Sequence, residues 1–190
     1  MLSGMRLFVA VLPPPAAVEH LRETVEKLNV VRAGAGAVRT ELWHLTLAFL
    51  GEIEEERLAA VTERLAEGAA AGRAGTLALA GGGRFGETVL WVGVTGDVEA
   101  LGRTARALRR HLRAARVVLE RRPFRPHLTL ARPRGRVTAD ELRADVAALQ
   151  AYAGPPWVAS RVHLMRSTQH RTPEGTQAVS YQSLTDWPLE

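Results

Sequence analysis

The tetrapeptide His-Leu-Thr-Leu occurs twice in the chain, beginning at His44 and again at His127, although the chain contains only six histidines. An imidazole titrates near neutral pH, so one histidine can accept a proton while another donates one. The threonine two positions later, Thr46 or Thr129, offers a hydroxyl that can hold a non-bridging phosphate oxygen. Two such pairs around a phosphodiester would activate water on one side and protonate the leaving oxygen on the other, without a metal.

Both tetrapeptides lie in predicted strands, within TELWHLTLAFLG and within HLTLA. Successive side chains of a strand point to opposite faces, so each histidine shares a face with its threonine and the leucines occupy the other face. We expect the leucines to pack under helices and the polar pairs to face a cleft. One His-x-Thr is an ordinary polar strand face, whereas two copies almost half a chain apart favour a shared function.

The elements around the two motifs follow a similar order in each half of the chain. Strands are predicted at 6–12, 76–80, 88–94, 158–165 and 178–184, with a turn at GGGRFGE, and helices at 16–28, 54–70, 97–116 and 138–150. The expected fold class is α+β, with two pseudo-twofold lobes, each an antiparallel sheet backed by helices. A central cleft would carry both motif strands, and residues 1–190 would form one bilobal domain.

Arginine supplies nearly all of the positive charge, because Lys27 is the only lysine in a chain of formal net charge +5. For most arginines a solvated surface is the simpler interpretation, and a polyanion partner is the functional one; composition leaves both open. The absence of cysteine removes disulfides and thiolate metal sites and fits the cytoplasm. No apolar run approaches the roughly 20 residues that span a bilayer, so no membrane association is expected.

Several other chemistries lack their sequence patterns. The chain has no GxxxxGK[ST] loop, and its glycine-rich stretch joins two predicted strands, which argues against nucleotide cofactor sites. A nucleotidyl-lysine would have to use Lys27, which has no supporting motif. The other histidines, His20, His111, His163 and His170, show neither HxH nor HExxH spacing, and the first two lie on predicted helices. We therefore expect neither a metal nor a cofactor.

The stretches WHLTLAFLGE and RPFRPHLTLAR resemble the two HxTx motifs of the 2H (two-histidine) phosphoesterase superfamily. Within it, the chain is similar to the bacterial and archaeal RNA 2′,3′-cyclic phosphodiesterases, also called 2′-5′ RNA ligases; RLFVAVLPP, FGETVLWVGV and YQSLTDWPL extend the resemblance over the whole chain. The resemblance implies that His44 is the proton donor and His127 the proton acceptor. It also implies that Thr46, Thr129 and Arg132 contact the substrate phosphate.

The same resemblance implies hydrolysis of RNA 2′,3′-cyclic phosphate ends to 2′-phosphates, with reversible, ATP-independent 2′-5′ ligation by the same residues. Arg125 is a further candidate for substrate binding, whereas Arg121 and Arg122 are interpreted as general surface charge. Residues 160–177 correspond to a variable loop without an assigned role. The expected partner of this monomer is RNA with a cyclic phosphate end, tRNA fragments included.

Two alternatives stay open at this point. The acid–base pair recognises only the cyclic phosphate, so a small cyclic nucleotide such as ADP-ribose cyclic phosphate is an alternative substrate. A non-catalytic module that binds RNA ends or nucleotides is another alternative. Two intact HxT triplets argue against it, because binding alone would tolerate the loss of either imidazole.

Overall fold

Two four-stranded antiparallel sheets form the framework of the protein. This computed structural model describes residues 4–133, 135–173 and 175–190. The strands are β1 (Gly4–Val11), β2 (Leu45–Glu54), β3 (Gly75–Phe85), β4 (Val89–Gly96), β5 (His127–Ala131), β6 (Trp157–Ala159), β7 (Arg161–Arg171) and β8 (Gln177–Pro188). The α-helices are α1 (Pro15–Val25), α2 (Asn29–Arg32), α3 (Leu58–Ala70), α4 (Val98–Ala114) and α5 (Ala139–Gln150).

The motif strands β2 and β5 each lie at the edge of a sheet. The strand orders are β2-β1-β7-β8 and β5-β4-β3-β6, so the α+β fold with two antiparallel sheets is confirmed. The two sheets do not correspond to the two halves of the chain, although the order of elements is similar in each half. The first sheet combines the first two strands with the last two, because β1 pairs with both β2 and β7. The middle of the chain supplies the second sheet.

The motif leucines anchor both strands in a shared apolar core. Leu45, Leu47, Leu128 and Leu130 are at most 2% exposed and belong to one cluster of buried side chains drawn from both sheets. Helix α4 packs on α3 and on strands of both sheets. Burial of the leucines leaves the histidine and threonine of each motif on the opposite face, as the alternation predicts.

Several element boundaries differ from the predictions. Strand β2 begins at Leu45, after a 3₁₀ turn at Thr40–Leu42, so His44 lies immediately before the strand. Helix α3 begins at Leu58 because β2 continues to Glu54. The predicted helix at 16–28 ends earlier, and the separate short helix α2 follows it.

The stretch GGGRFGE is mostly strand rather than turn, because β3 continues to Phe85. A Cβ atom at Gly82 would collide with Leu149 of α5, and one at Gly83 would collide with the ring of Trp91. These two glycines therefore allow a helix and an indole ring to approach the strand closely.

The segment 160–177, which the resemblance interprets as a variable loop, contains strand β7. Val162 and Leu164 are fully buried in alternation with more exposed neighbours, which is the pattern of a strand with one face on the core. Strand β7 ends at Arg171, and β8 begins at Gln177.

The predicted starts of α4 and α5 are correct to within one residue. Thr138 forms a capping box with Glu141 at the start of α5. Asp97 precedes α4, but its carboxylate accepts a hydrogen bond from the backbone N–H of Thr76 at 2.7 Å instead of capping the helix. None of the helices in the described part of the chain is both long enough and apolar enough to cross a membrane.

Candidate active site

The two motif histidines are held by the same hydrogen bond. Nδ1 of His44 lies 2.7 Å from the carbonyl oxygen of Leu42, and Nδ1 of His127 lies 2.7 Å from the carbonyl oxygen of Arg125. A carbonyl oxygen can only accept, so each Nδ1 must carry a proton. The other ring nitrogen, Nε2, is therefore the atom of each imidazole that can accept a proton when neutral or donate one when charged.

Each motif strand contains a β-bulge at the same place. The pairing of β1 with β2 skips Leu47, and the pairing of β4 with β5 skips Leu130. In both strands the skipped leucine and the alanine after it are buried. The extra residue shifts the alternation of faces, so that the next side chain returns to the histidine side. That side chain is Phe49 in one strand and Arg132 in the other.

The bulge explains how Arg132 reaches the cleft, where the family resemblance implies that it contacts the substrate phosphate. Under strict alternation Arg132 would share the face of the buried leucines. The backbone N–H of Arg132 donates to the carbonyl of Gly36 at 2.8 Å. Burial raises the pKa of Tyr181, and the positive charge of the Arg132 guanidinium group partly offsets this effect. Tyr181 in turn lies edge-on to His44, with ring centroids 5.2 Å apart. Arg132 and His44 therefore border the same cleft from different sheets.

His44 is packed among aromatic rings. Its ring centroid lies 4.7 Å from that of Phe8 and 5.2 Å from that of Tyr181. Burial lowers the pKa of His44 below its ordinary value, and the hydrogen bond to Leu42 opposes this effect. The charge of His127 lowers the pKa of His44 further, so the two imidazoles are close enough to interact electrostatically.

His127 has a matching aromatic environment on the second sheet. The ring of Phe85 lies edge-on to it at 4.9 Å between centroids, and the ring of Trp91 lies at 6.3 Å. Phe85 and Trp91 also contact each other at 5.3 Å. These rings limit the motion of the imidazole, so that Nε2 keeps a fixed direction.

Four aromatic residues and one arginine around the histidines were not predicted from the sequence. Phe8, Phe85, Trp91 and Tyr181 contact the two imidazoles, and Arg6 opposes the burial effect on the pKa of Tyr181. All five lie in the segments that carry the family resemblance. The alternation in RLFVAVL indicates that its arginine and phenylalanine lie on the face away from the buried leucine and valines. The sequence contains no local signal that these two residues lie beside a histidine of another strand.

The remaining candidate residues occupy different positions around the cleft. Thr46 and Thr129 are half-buried on the histidine side of their strands, opposite Ala10 and Trp91. Arg125 contributes its carbonyl oxygen to the bond with His127, and its side chain is exposed. Substrate contact by the Arg125 guanidinium group stays a prediction.

Two other histidines are engaged elsewhere in the fold. Nδ1 of His20 lies 3.0 Å from the hydroxyl of Tyr152, and Nδ1 of His111 lies 3.0 Å from the carboxylate of Glu67. Across the residues that the structure describes, no group of three or more histidine and acidic side chains is arranged to hold a metal ion.

Comparison with known sequences finds a family match over most of the chain. Residues 12–171 match the model of the 2′-5′ RNA ligase superfamily. The chain is 33% identical to an RNA 2′,3′-cyclic phosphodiesterase of Geobacillus stearothermophilus over 142 residues, which are 71% of this chain and 45% of that protein. An RNA 2′,3′-cyclic phosphodiesterase of Archaeoglobus fulgidus is 35% identical over 132 residues, which are 67% of this chain and 72% of the relative. The chain thus spans less than half of the Geobacillus relative.

Comparison with solved structures finds the same fold in Escherichia coli LigT. The apo form superposes with a TM-score of 0.76 and 26% identity, covering 98% of each chain. The same protein has been solved in complex with 3′-AMP, and that structure superposes with a TM-score of 0.71, 26% identity and coverage of 98% and 99%.

The environment of His44 predicts its titration. Its pKa should lie below the ordinary value of about 6.5, because burial disfavours the imidazolium. His127→Ala should raise the pKa of His44, because it removes a neighbouring positive charge. Imidazole ¹H–¹⁵N spectra recorded against pH measure both effects, and they should also show the proton of each neutral ring on Nδ1. His20→Ala is the control and should leave the midpoint of His44 unchanged. An ordinary midpoint that His127→Ala does not move would contradict the coupled pair.

Proposed function

The chain belongs to the 2′-5′ RNA ligase superfamily of two-histidine phosphoesterases, and from this premise we propose that it hydrolyses 2′,3′-cyclic phosphate ends of RNA to 2′-phosphates. The observation that carries the proposal is the pair of imidazoles, each bound through Nδ1 to a carbonyl and coupled in charge across one cleft. The curated relatives from Geobacillus and Archaeoglobus bear the name of this activity.

In the proposed reaction His127 acts as the base and His44 as the acid. Neutral His127 accepts a proton at Nε2 from a water molecule, whose oxygen forms a bond to phosphorus. The bond from phosphorus to O3′ breaks, and protonated His44 gives its Nε2 proton to O3′. The products are a 2′-phosphate and a 3′-hydroxyl, and proton exchange with solvent restores both rings. Because proton transfer needs only the two imidazoles, the step requires no metal.

The polar residues beside the histidines are proposed to hold the phosphate. The hydroxyls of Thr46 and Thr129 donate to its non-bridging oxygens, whose negative charge grows as water attacks. The guanidinium group of Arg132 pairs with the same charge through its planar fork of donors. Arg125 is proposed to contact the substrate beyond the reacting phosphate, since its side chain is exposed next to His127.

His44 has to become protonated when the substrate binds. Burial lowers the pKa of His44, so the free protein holds this ring mainly in its neutral form at neutral pH. A bound phosphate adds negative charge beside the ring and raises its pKa, because it favours the imidazolium. The proposal therefore makes His44 an acid only when the phosphate is in place.

An exposed aromatic side chain supports a nucleotide as the substrate. The side chain of Phe49 is 53% exposed and lies 6.2 Å from Phe8, the ring that contacts His44. Unpaired bases stack on such rings in RNA-binding proteins. Escherichia coli LigT, which shares the fold, binds 3′-AMP in a solved complex.

The same acid–base pair would support ligation when a 5′-hydroxyl takes the place of water. Its oxygen would attack phosphorus, His127 would accept its proton, and O3′ would leave with the proton of His44. A 2′-5′ phosphodiester would result, and no ATP would be consumed. The description of the matched superfamily, which names 2′-5′ RNA ligases, is the observation that favours this second activity.

Loss of either motif histidine should remove most of the activity. We expect His44→Ala and His127→Ala each to lower kcat for an oligoribonucleotide with a 2′,3′-cyclic phosphate end by about 10²–10⁴-fold, because each deletes one proton transfer. The assay is run in EDTA, where the unaltered protein should keep its activity. His20→Ala and His111→Ala are the matched controls and should retain kcat. Full activity in either motif variant, or loss of activity in EDTA, would reject the mechanism.

A substrate with a better leaving group shows which histidine is the acid and which is the base. When O3′ is replaced by a group that departs without protonation, the acid is no longer needed, whereas the base still has to activate water. His44→Ala should then lose much less kcat on the activated phosphodiester than on the natural cyclic phosphate. His127→Ala should be impaired on both. Recovery by His127→Ala instead would show that the roles of acid and base are reversed.

A further inference from the structure

A groove lined by arginines lies between α4 and the segment that leads into β5. Its volume is about 840 Å³, and Phe124 and Pro126 form part of its wall. Among the described residues that line it, one is acidic, Glu99, and its carboxylate already binds Arg103 at 2.6 Å. Val98 and Gly102 also line the groove, together with six arginines: Arg106, Arg109, Arg110, Arg113, Arg121 and Arg122.

The two walls of the groove are built by different parts of the fold. Leu101, Leu108 and Leu112 bury the inner face of α4, so the arginines between them project outward. The guanidinium group of Arg109 donates to backbone carbonyls of Glu120 and Arg122. These bonds hold the second wall beside the helix.

The charge of the groove is large for this molecule. Six guanidinium groups line one groove in a chain whose formal net charge is +5. Like charges repel one another, and a polyanion removes that repulsion while exchanging bound counterions. Arg106, Arg110 and Arg113 recur about once per turn over a rise of about 10 Å along one wall of the groove. They therefore present a row of positive charge to an extended polyanion.

The wall of the groove reaches the residue that precedes the second histidine. Pro126, which lines it, immediately precedes His127, and Arg125 between the two wall residues bears the carbonyl that binds the imidazole. We propose that this groove binds the sugar–phosphate backbone of the RNA strand upstream of the 2′,3′-cyclic phosphate, so that the substrate is a polynucleotide. A small cyclic nucleotide would occupy the cleft and leave the groove empty. This inference rests on the proposed function, whose site it extends.

The test compares a long substrate with a short one. The groove variant R106Q/R110Q/R113Q removes three lining charges but keeps Arg109, which holds the wall. The substrates are an oligoribonucleotide of about ten residues, within the site sizes known for single strands, and a nucleoside 2′,3′-cyclic monophosphate. The ratio of their kcat/KM values, long over short, should fall roughly tenfold or more in the groove variant. The salt slope of log KM for the long substrate should become shallower by about 2.

The matched control is R22Q/R32Q/R143Q, which removes the same charge from α1, α2 and α5 outside the groove. It should keep the ratio of the unaltered protein. An unchanged ratio in the groove variant, or an equal fall in the control, would overturn the inference.

Direct binding separates this inference from the proposed function. Fluorescence anisotropy of the labelled oligoribonucleotide should give a weaker Kd for the groove variant than for the control. If neither substrate is hydrolysed but this difference in Kd persists, the groove stands and the proposed function fails. If both substrates are hydrolysed and the two Kd values agree, the proposed function stands and the groove fails.

Discussion

The hydrogen bond from Nδ1 of each motif histidine to the carbonyl two residues earlier determines what the cleft can do. It leaves Nε2 as the ring nitrogen that can exchange a proton on both rings and gives both rings the same tautomer. The backbone provides the acceptor in an extended stretch before each histidine. Trp43 has extended dihedral angles, and Pro126 disfavours the helical conformation for Arg125. The two imidazoles thus share one tautomer and differ in their environment.

The repeated motif makes two similar half-sites that diverge at the sixth residue. The bulge after each threonine brings that residue to the cleft, where it is Phe49 on one strand and Arg132 on the other. One half-site therefore presents a ring and the other a cation. A nucleotide with a terminal phosphate has the same two features, an aromatic base and a negative charge. The two half-sites therefore differ in the same way as the two ends of the proposed nucleotide substrate.

Period-two alternation and a repeated tetrapeptide were enough to predict the motif strands, their buried leucines and the polar face with His44 and His127. The pairing of β1 with β7 was not predictable, because it joins the ends of the chain without a local signal. The bulges that turn Phe49 and Arg132 to the cleft are set by register against β1 and β4. The lowered pKa of His44 likewise depends on burial among residues of other strands.

The central claim is that one imidazole acts protonated while the other acts neutral. The dependence of kcat/KM on pH for a 2′,3′-cyclic phosphate tests it most directly, since this ratio reports the ionisation of groups in the free protein. A bell-shaped curve is predicted, with limbs that belong to the coupled pair. Its alkaline limb should fall near or below neutral pH, because burial lowers the pKa of His44. A rate that rises to a plateau at alkaline pH would show that no protonated imidazole is needed and would contradict the account.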